Sequence, residues 1–150
     1  MSKFKFRMAT LLRLREATRD QRRLELAEAY RLDNLLQERF DHVMDQLHAL
    51  RDECRRAAEP GTIDVDRLVE AQRYELALRA QQQQLQQQRD SVAAEIQRRR
   101  QVLIDASRDV RVLEKLREKQ ARRHRREEGR QEIKQLDEVA NQRTARENVR

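Results

Sequence analysis

From Leu36 onward the apolar residues Leu36, Phe40, Val43, Leu47, Leu50, Cys54 and Ala57 recur at alternating steps of four and three. That spacing is the a/d seam of a coiled coil, sustained for about three heptads. Upstream the pattern loosens. Leu24, Ala27, Leu32 and Leu35 drift in phase, and Met8, Leu11, Leu12 and Leu14 form a denser apolar start. A first helix is predicted from about residue 5 to about residue 57. Pro60-Gly61 is the strongest turn signal and sets a turn over about 58–63. After it, Thr62 or Asp64 can cap a second helix, and Asp66 favours the positive end of its dipole. Val65, Leu68 and Tyr74 open that helix. Leu78, Leu85, Val92, Arg99, Ala106 and Leu113 then recur every seven residues, with Ile96, Leu103 and Val110 at the other seam position. Gly129 is the only later breaker, and Ile133, Leu136 and Ala140 resume the apolar pattern behind it. The second helix is predicted over about 64–142.

Two long helices joined by a short turn imply an all-α fold, a long antiparallel two-helix coiled-coil hairpin forming one unit over residues 1–150. With the turn near residue 60, facing positions sum to roughly 121. Leu36 then meets Leu85, Leu47 meets Tyr74, Leu50 meets Ala71, Met8 meets Leu113 and Leu11 meets Val110. Apolar faces apolar along the ladder. The first helix runs out opposite about residue 118, so the C-terminal helix overhangs by ~30 residues, or roughly 45 Å.

Composition narrows the alternatives. Of 150 residues, 41% are charged, 37% hydrophobic and 3% aromatic, with two Gly, one Pro and no Trp. Too few apolar and aromatic side chains remain for a globular core of this size, and three Gly/Pro residues cannot turn a sheet. No run approaches the ~18 apolar residues of a membrane span. The start, Met1 to Arg7, alternates charge and lacks the apolar stretch of a signal peptide. Cys54 is the single cysteine, so no intramolecular disulfide is expected, in keeping with a reducing cytoplasm. The run Gln81–Gln84 and Gln86–Gln88 flanks Leu85 inside a continuing heptad and is expected to be plain helix.

The charge is concentrated. Residues 98–130 hold 13 Lys/Arg against six Asp/Glu, and the rest of the chain holds 21 of each, so the whole net charge of +7 lies there. Such a stretch is either a solvated face or a site for an anionic partner. Specific nucleic-acid binding is not expected, because no aromatic residue is interleaved for base stacking and no zinc-finger spacing exists. Membrane-surface insertion needs large apolar residues opposite the charge, and 117–130 has none. Catalysis is not expected either. His42, His48 and His124 are not spaced to converge on a metal, no Gly-rich loop can cradle a phosphate, and a two-helix hairpin lacks a concave pocket. No cofactor, metal or catalytic residue is assigned, and the three histidines are read as exposed on helices.

Three stretches, taken in order, resemble the FliJ family of the bacterial flagellar type III export apparatus. They are Lys3-Phe4-Lys5-Phe6-Arg7 followed by Leu11 to Glu16, then Val112-Leu113-Glu114-Lys115-Leu116-Arg117-Glu118-Lys119, then Glu132 to Ala140 with Lys134, Leu136, Asp137 and Glu138. His124 stands where family members often carry an aromatic residue, and the turn region departs from the family pattern. The resemblance implies a non-enzymatic, stalk-like cytoplasmic adaptor. It would link the hexameric export ATPase, FliI-like, to the cytoplasmic domain of the export gate, FlhA-like, promote ring assembly and, in some members, bind export chaperones. The protein would then sit peripherally on the cytoplasmic face of the inner membrane at the flagellar base. Carried onto this chain, the ATPase side comprises Leu113, Leu116, Arg117, Lys119, Arg122, Arg123, Ile133 and Leu136. Phe40, Val43, Leu47, Tyr74 and Leu78 are the matching gate-binding candidates, although they read equally as seam. Two other functions fit the residues alone: a basic coiled-coil arm that binds nucleic acid through Arg98 to Arg126, and a self-associating scaffold.

Overall fold

A computed structural model describes residues 3–58, 60–61 and 63–147 of the chain. They form two helices, α1 (Ala9–Ala57) and α2 (Val65–Glu147), of 49 and 83 residues. Among the described residues there is no strand, and the chain is the all-α hairpin that the heptads predict. Two compact units are distinguished: Gln21–Leu103, which contains the turn, and Met1–Asp20 with Ile104–Arg150, which contains both ends.

In the unit that contains the turn, Leu36, Val43, Leu47, Leu50, Leu78 and Leu85 form a buried cluster. Phe40, Met44, Cys54, Ala71 and Val92 pack against it half-buried. Cys54 thus serves as a small apolar seam residue. At the turn, Asp64 caps α2. Its carboxylate accepts hydrogen bonds from the backbone N–H of Asp66 (3.2 Å) and Arg67 (3.4 Å), satisfying two donors that have no partner within the helix. The other candidate cap, Thr62, lies outside the described residues.

Upstream of Leu36 the seam keeps its phase. Ala29 is buried, with Leu26 and Asp33 half-buried at heptad positions, whereas Leu24, Leu32 and Leu35 are exposed. The loosening in the sequence therefore reflects polar residues taking seam positions while leucines occupy solvent positions. Here polar contacts cross between the helices. Arg99, itself at a seam position, donates to the main-chain carbonyl of Glu25. Arg100 Nε donates to the Tyr30 hydroxyl at 2.7 Å, with its guanidinium 5.5 Å from the ring centroid. Within α2, Glu95 accepts from Arg98 (2.9 and 2.6 Å) and from Arg99 (2.7 Å).

The facing ladder runs a few residues beyond the expected register at several points. Gln46 meets Tyr74 as the turn position predicts, but the guanidinium of Arg89 lies over the Phe40 ring at 5.6 Å. The cause is side-chain direction. Each helical side chain leans toward its own N-terminus, so in an antiparallel pair two side chains converge from backbone positions offset along the axis.

The bonds from Arg98, then Arg99, hold the Glu95 carboxyl well below its ordinary value of 4.5, at about 2. A carboxylate depressed in this way favours the folded state at all pH values above the ordinary carboxylate range. Its contribution declines as pH falls from 4.5 toward about 2. A carboxyl NMR titration is expected to find Glu95 still ionised at pH 3.5, where an unpaired glutamate is mostly protonated; a midpoint near 4.5 would show the cluster unformed.

Candidate partner-binding surfaces

The unit containing both ends has its own small core, in which Leu12, Val110 and Leu113 are buried and Phe6 packs against them. Met8 and Leu11, expected opposite Leu113 and Val110, are instead 44% and 38% exposed. Leu12 holds the seam position in place of Leu11, and Met8 precedes α1, which begins at Ala9; residues 3–6 carry no regular secondary structure. In that segment Phe4 and Phe6 are half-buried while Lys3, Lys5 and Arg7 are exposed, the two-residue alternation of an extended chain. Extended chain covers about 3.3 Å per residue against 1.5 Å for helix, so a few residues reach far along α2. Phe4 comes within 5.7 Å of the His124 ring (centroid to centroid). His124 is therefore half-buried on the covered face of α2 and pairs with Glu128 at 3.3 Å, rather than standing in solvent.

The N-terminal segment reaches His124 on α2, and every described residue from Arg130 to Glu147 is exposed. The uncovered stretch is shorter than the sequence predicts because of that N-terminal segment. Gly129 itself has no role in packing within the chain, since a Cβ placed on it meets nothing within 4 Å. Gly129→Ala is accordingly expected to stabilise this part of α2 by up to ~1 kcal/mol, read as a rise in helicity or melting temperature by circular dichroism.

The heptad phase on either side of Gly129 differs. Val110, Leu113, Arg117, Gln120 and His124 follow the seam that faces α1 and the N-terminal segment. Carried forward, that seam falls on Gln131, Lys134, Glu138 and Asn141, all polar. The apolar residues Ile133, Leu136 and Ala140 occupy the c and f positions instead, on the outward side. Ile133 is 59% exposed and Leu136 69%. They resume an apolar pattern, as the sequence suggests, but on a different face.

Of the candidates carried over to the ATPase side, Leu113 is buried in the core and Leu116 half-buried, while Arg117, Lys119, Arg122, Arg123, Ile133 and Leu136 are exposed. Arg123 donates to Glu127 at 2.8 Å, a bond that raises its pKa above the ordinary arginine value. Of the gate candidates, Val43, Leu47 and Leu78 are buried in the cluster of the other unit and Phe40 is half-buried, leaving Tyr74 at 47% exposure. Seam geometry accounts for four of these five. Leu76 and Val69, which the sequence reading did not single out, are exposed on the same stretch of α2 as Tyr74.

No described helix is long and apolar enough to cross a membrane, and no group of three or more His, Cys, Asp or Glu among the described residues is placed to hold a metal ion. The two long helices, short turn and heptad seam place this protein among antiparallel coiled-coil hairpins. The family model described as Flagellar FliJ protein matches residues 4–149. The chain belongs to that family, and so is a component of flagellar type III protein export. Neither a curated protein nor a solved structure matches it.

Proposed function

We propose that the protein is a non-enzymatic adaptor in flagellar export, a stiff helical element joining the export ATPase ring to the export gate and favouring ring assembly. The observation that carries this reading is the uncovered end of α2, where a basic stretch runs into the exposed apolar residues Ile133 and Leu136. An apolar pair left uncovered beside a basic stretch is surface suited to burial against a partner. On this reading the ATPase engages α2 from Lys119 to Leu136, and the gate engages the turn-proximal unit through Tyr74 and the accessible edge of Phe40. Val43, Leu47 and Leu78 support that surface from within the seam. The adaptor acts by population shift: a ligand that binds the assembled ring more tightly than its separate subunits promotes assembly without chemistry of its own.

The test is binding of the purified protein to the cognate export ATPase at near-physiological salt, with ATP turnover and ring assembly followed together. Tight binding with stimulated assembly is expected. No binding, alongside RNA affinity that falls steeply with salt, would overturn the adaptor reading in favour of a nucleic-acid-binding arm.

A further inference from the structure

The segment Lys3-Phe4-Lys5-Phe6-Arg7 is held to its unit by little more than two aromatic rings. Phe6 packs on the buried cluster of Leu12, Val110 and Leu113, and the Phe4 ring lies 5.7 Å from that of His124. Among the described residues its one backbone hydrogen bond runs from the Ala9 N–H to the Phe6 carbonyl, at 3.3 Å. Lys3, Lys5 and Arg7 are exposed, and among the described residues none of them pairs with a carboxylate.

Charge works against this seating. The segment has three cations and no acidic residue. Phe4 lines a cleft on α2 with Arg111, Arg117, Arg122 and Arg125 against Glu114 and Glu118. Arg111 already engages both glutamates, at 3.4 and 3.9 Å. A second cleft, of about 300 Å³, is shared by Phe4 and Phe6 with Arg13, Arg117 and Glu16. Each cleft is net positive, so seating the two rings brings Lys3, Lys5 and Arg7 among like charges. The two effects respond differently to salt. Repulsion between exposed cations fades once the screening length falls below their separation, whereas apolar burial follows the area removed from water.

We propose that residues 3–7 are a charge-gated strap: Phe4 and Phe6 clamp it onto α2 against the repulsion of its own cations, and neutralising the surrounding charge closes it. Closed, the strap completes the small core through Phe6 and carries cover along α2 as far as His124. Open, it uncovers Leu12 and Leu113 and frees two aromatic side chains set between cations. The charge state of this unit thereby sets how much of α2 is covered. The inference does not rest on the adaptor reading, and its test uses this chain alone.

The experiment is fluorine NMR of the full chain carrying para-fluorophenylalanine at Phe4, Phe6 and Phe40, with Phe40, in the other unit, as the internal reference. The isotope shift between light and heavy water reads the solvent exposure of each ring. It is compared at about 10 mM and about 0.1 M NaCl, over which the screening length falls from ~30 to ~10 Å. Exposure of Phe4 and Phe6 is expected to fall about twofold or more with salt while Phe40 stays constant. Lys3→Gln/Lys5→Gln/Arg7→Gln should be closed at both salt levels. Arg117→Gln/Arg125→Gln should close the strap at low salt with the segment's own cations intact. Circular dichroism of each sample checks that α1 and α2 are unchanged. Rings equally exposed at the two salt levels, or more exposed at the higher one, would overturn the gate. So would a salt response that survives undiminished in the triple variant, since it would then come from apolar burial rather than charge.

Discussion

Val43→Asp is expected to melt the unit formed by Gln21–Leu103. Val43 is 2% exposed and lies in the cluster with Leu36, Leu47 and Leu78. Substitution removes a buried isopropyl group and puts an unpaired carboxylate between the two helices, at a combined cost of ~3–5 kcal/mol. A seam only one layer deep has no second core to fall back on, so such a loss is comparable to the stability of the whole unit. Urea titration followed by circular dichroism should show the transition shifted to low denaturant or absent. Leu76→Asp is the control. Leu76 belongs to the same unit but is 68% exposed, and its replacement should change stability by no more than ~0.5 kcal/mol. A near-neutral Val43→Asp would mean that the helices do not pair through this seam.

Ile133→Asp combined with Leu136→Asp should leave the fold intact and weaken ATPase binding by about 100-fold. Both side chains are mostly exposed within the chain, so the substitutions remove no intramolecular packing. Burying each against a partner is worth ~1.5–3 kcal/mol, and the two together correspond to a loss of about two orders of magnitude or more. Leu116 is a poorer probe. It is half-buried in the same stretch of α2 as the core residue Leu113, so a charge there would mix folding with binding. The measurement is isothermal titration of the double variant against the ATPase, with helicity recorded on the same sample. Unchanged affinity with unchanged helicity would remove these residues from the interface and shift attention to the exposed basic residues Lys119, Arg122 and Arg126.

Much of the architecture was legible in the chain itself. The alternation of four and three from Leu36 to Ala57, the Pro60-Gly61 breaker and the seven-residue recurrence from Leu78 to Leu113 are enough to define two helices, a turn and an antiparallel pairing. Heptad periodicity is a local property, and a two-helix hairpin has only one way to bury two such stripes against each other. The concentration of positive charge in residues 98–130 was equally plain, because charge is additive along a sequence.

Three features depended on the folded arrangement. Periodicity alone could not say that Ala29, rather than Leu24, Leu32 or Leu35, holds the seam, because a helix can follow either stripe until a partner chooses one. It could not reveal that Phe4 and Phe6 leave the helix and extend coverage of α2 to His124, since a few alternating residues are too short a signal to separate extended chain from helix. Nor could it sort the cations of α2 into paired and unpaired, because Asp109 finds its partner in Arg15, 94 residues away in the chain. The sequence by itself determined the helices, their turn and the sign of the charge, all of which follow from neighbours along the chain. Only the tertiary structure decided how far along α2 the cover reaches and which side chains beyond it stay exposed, because that depends on residues brought together from opposite ends of the chain.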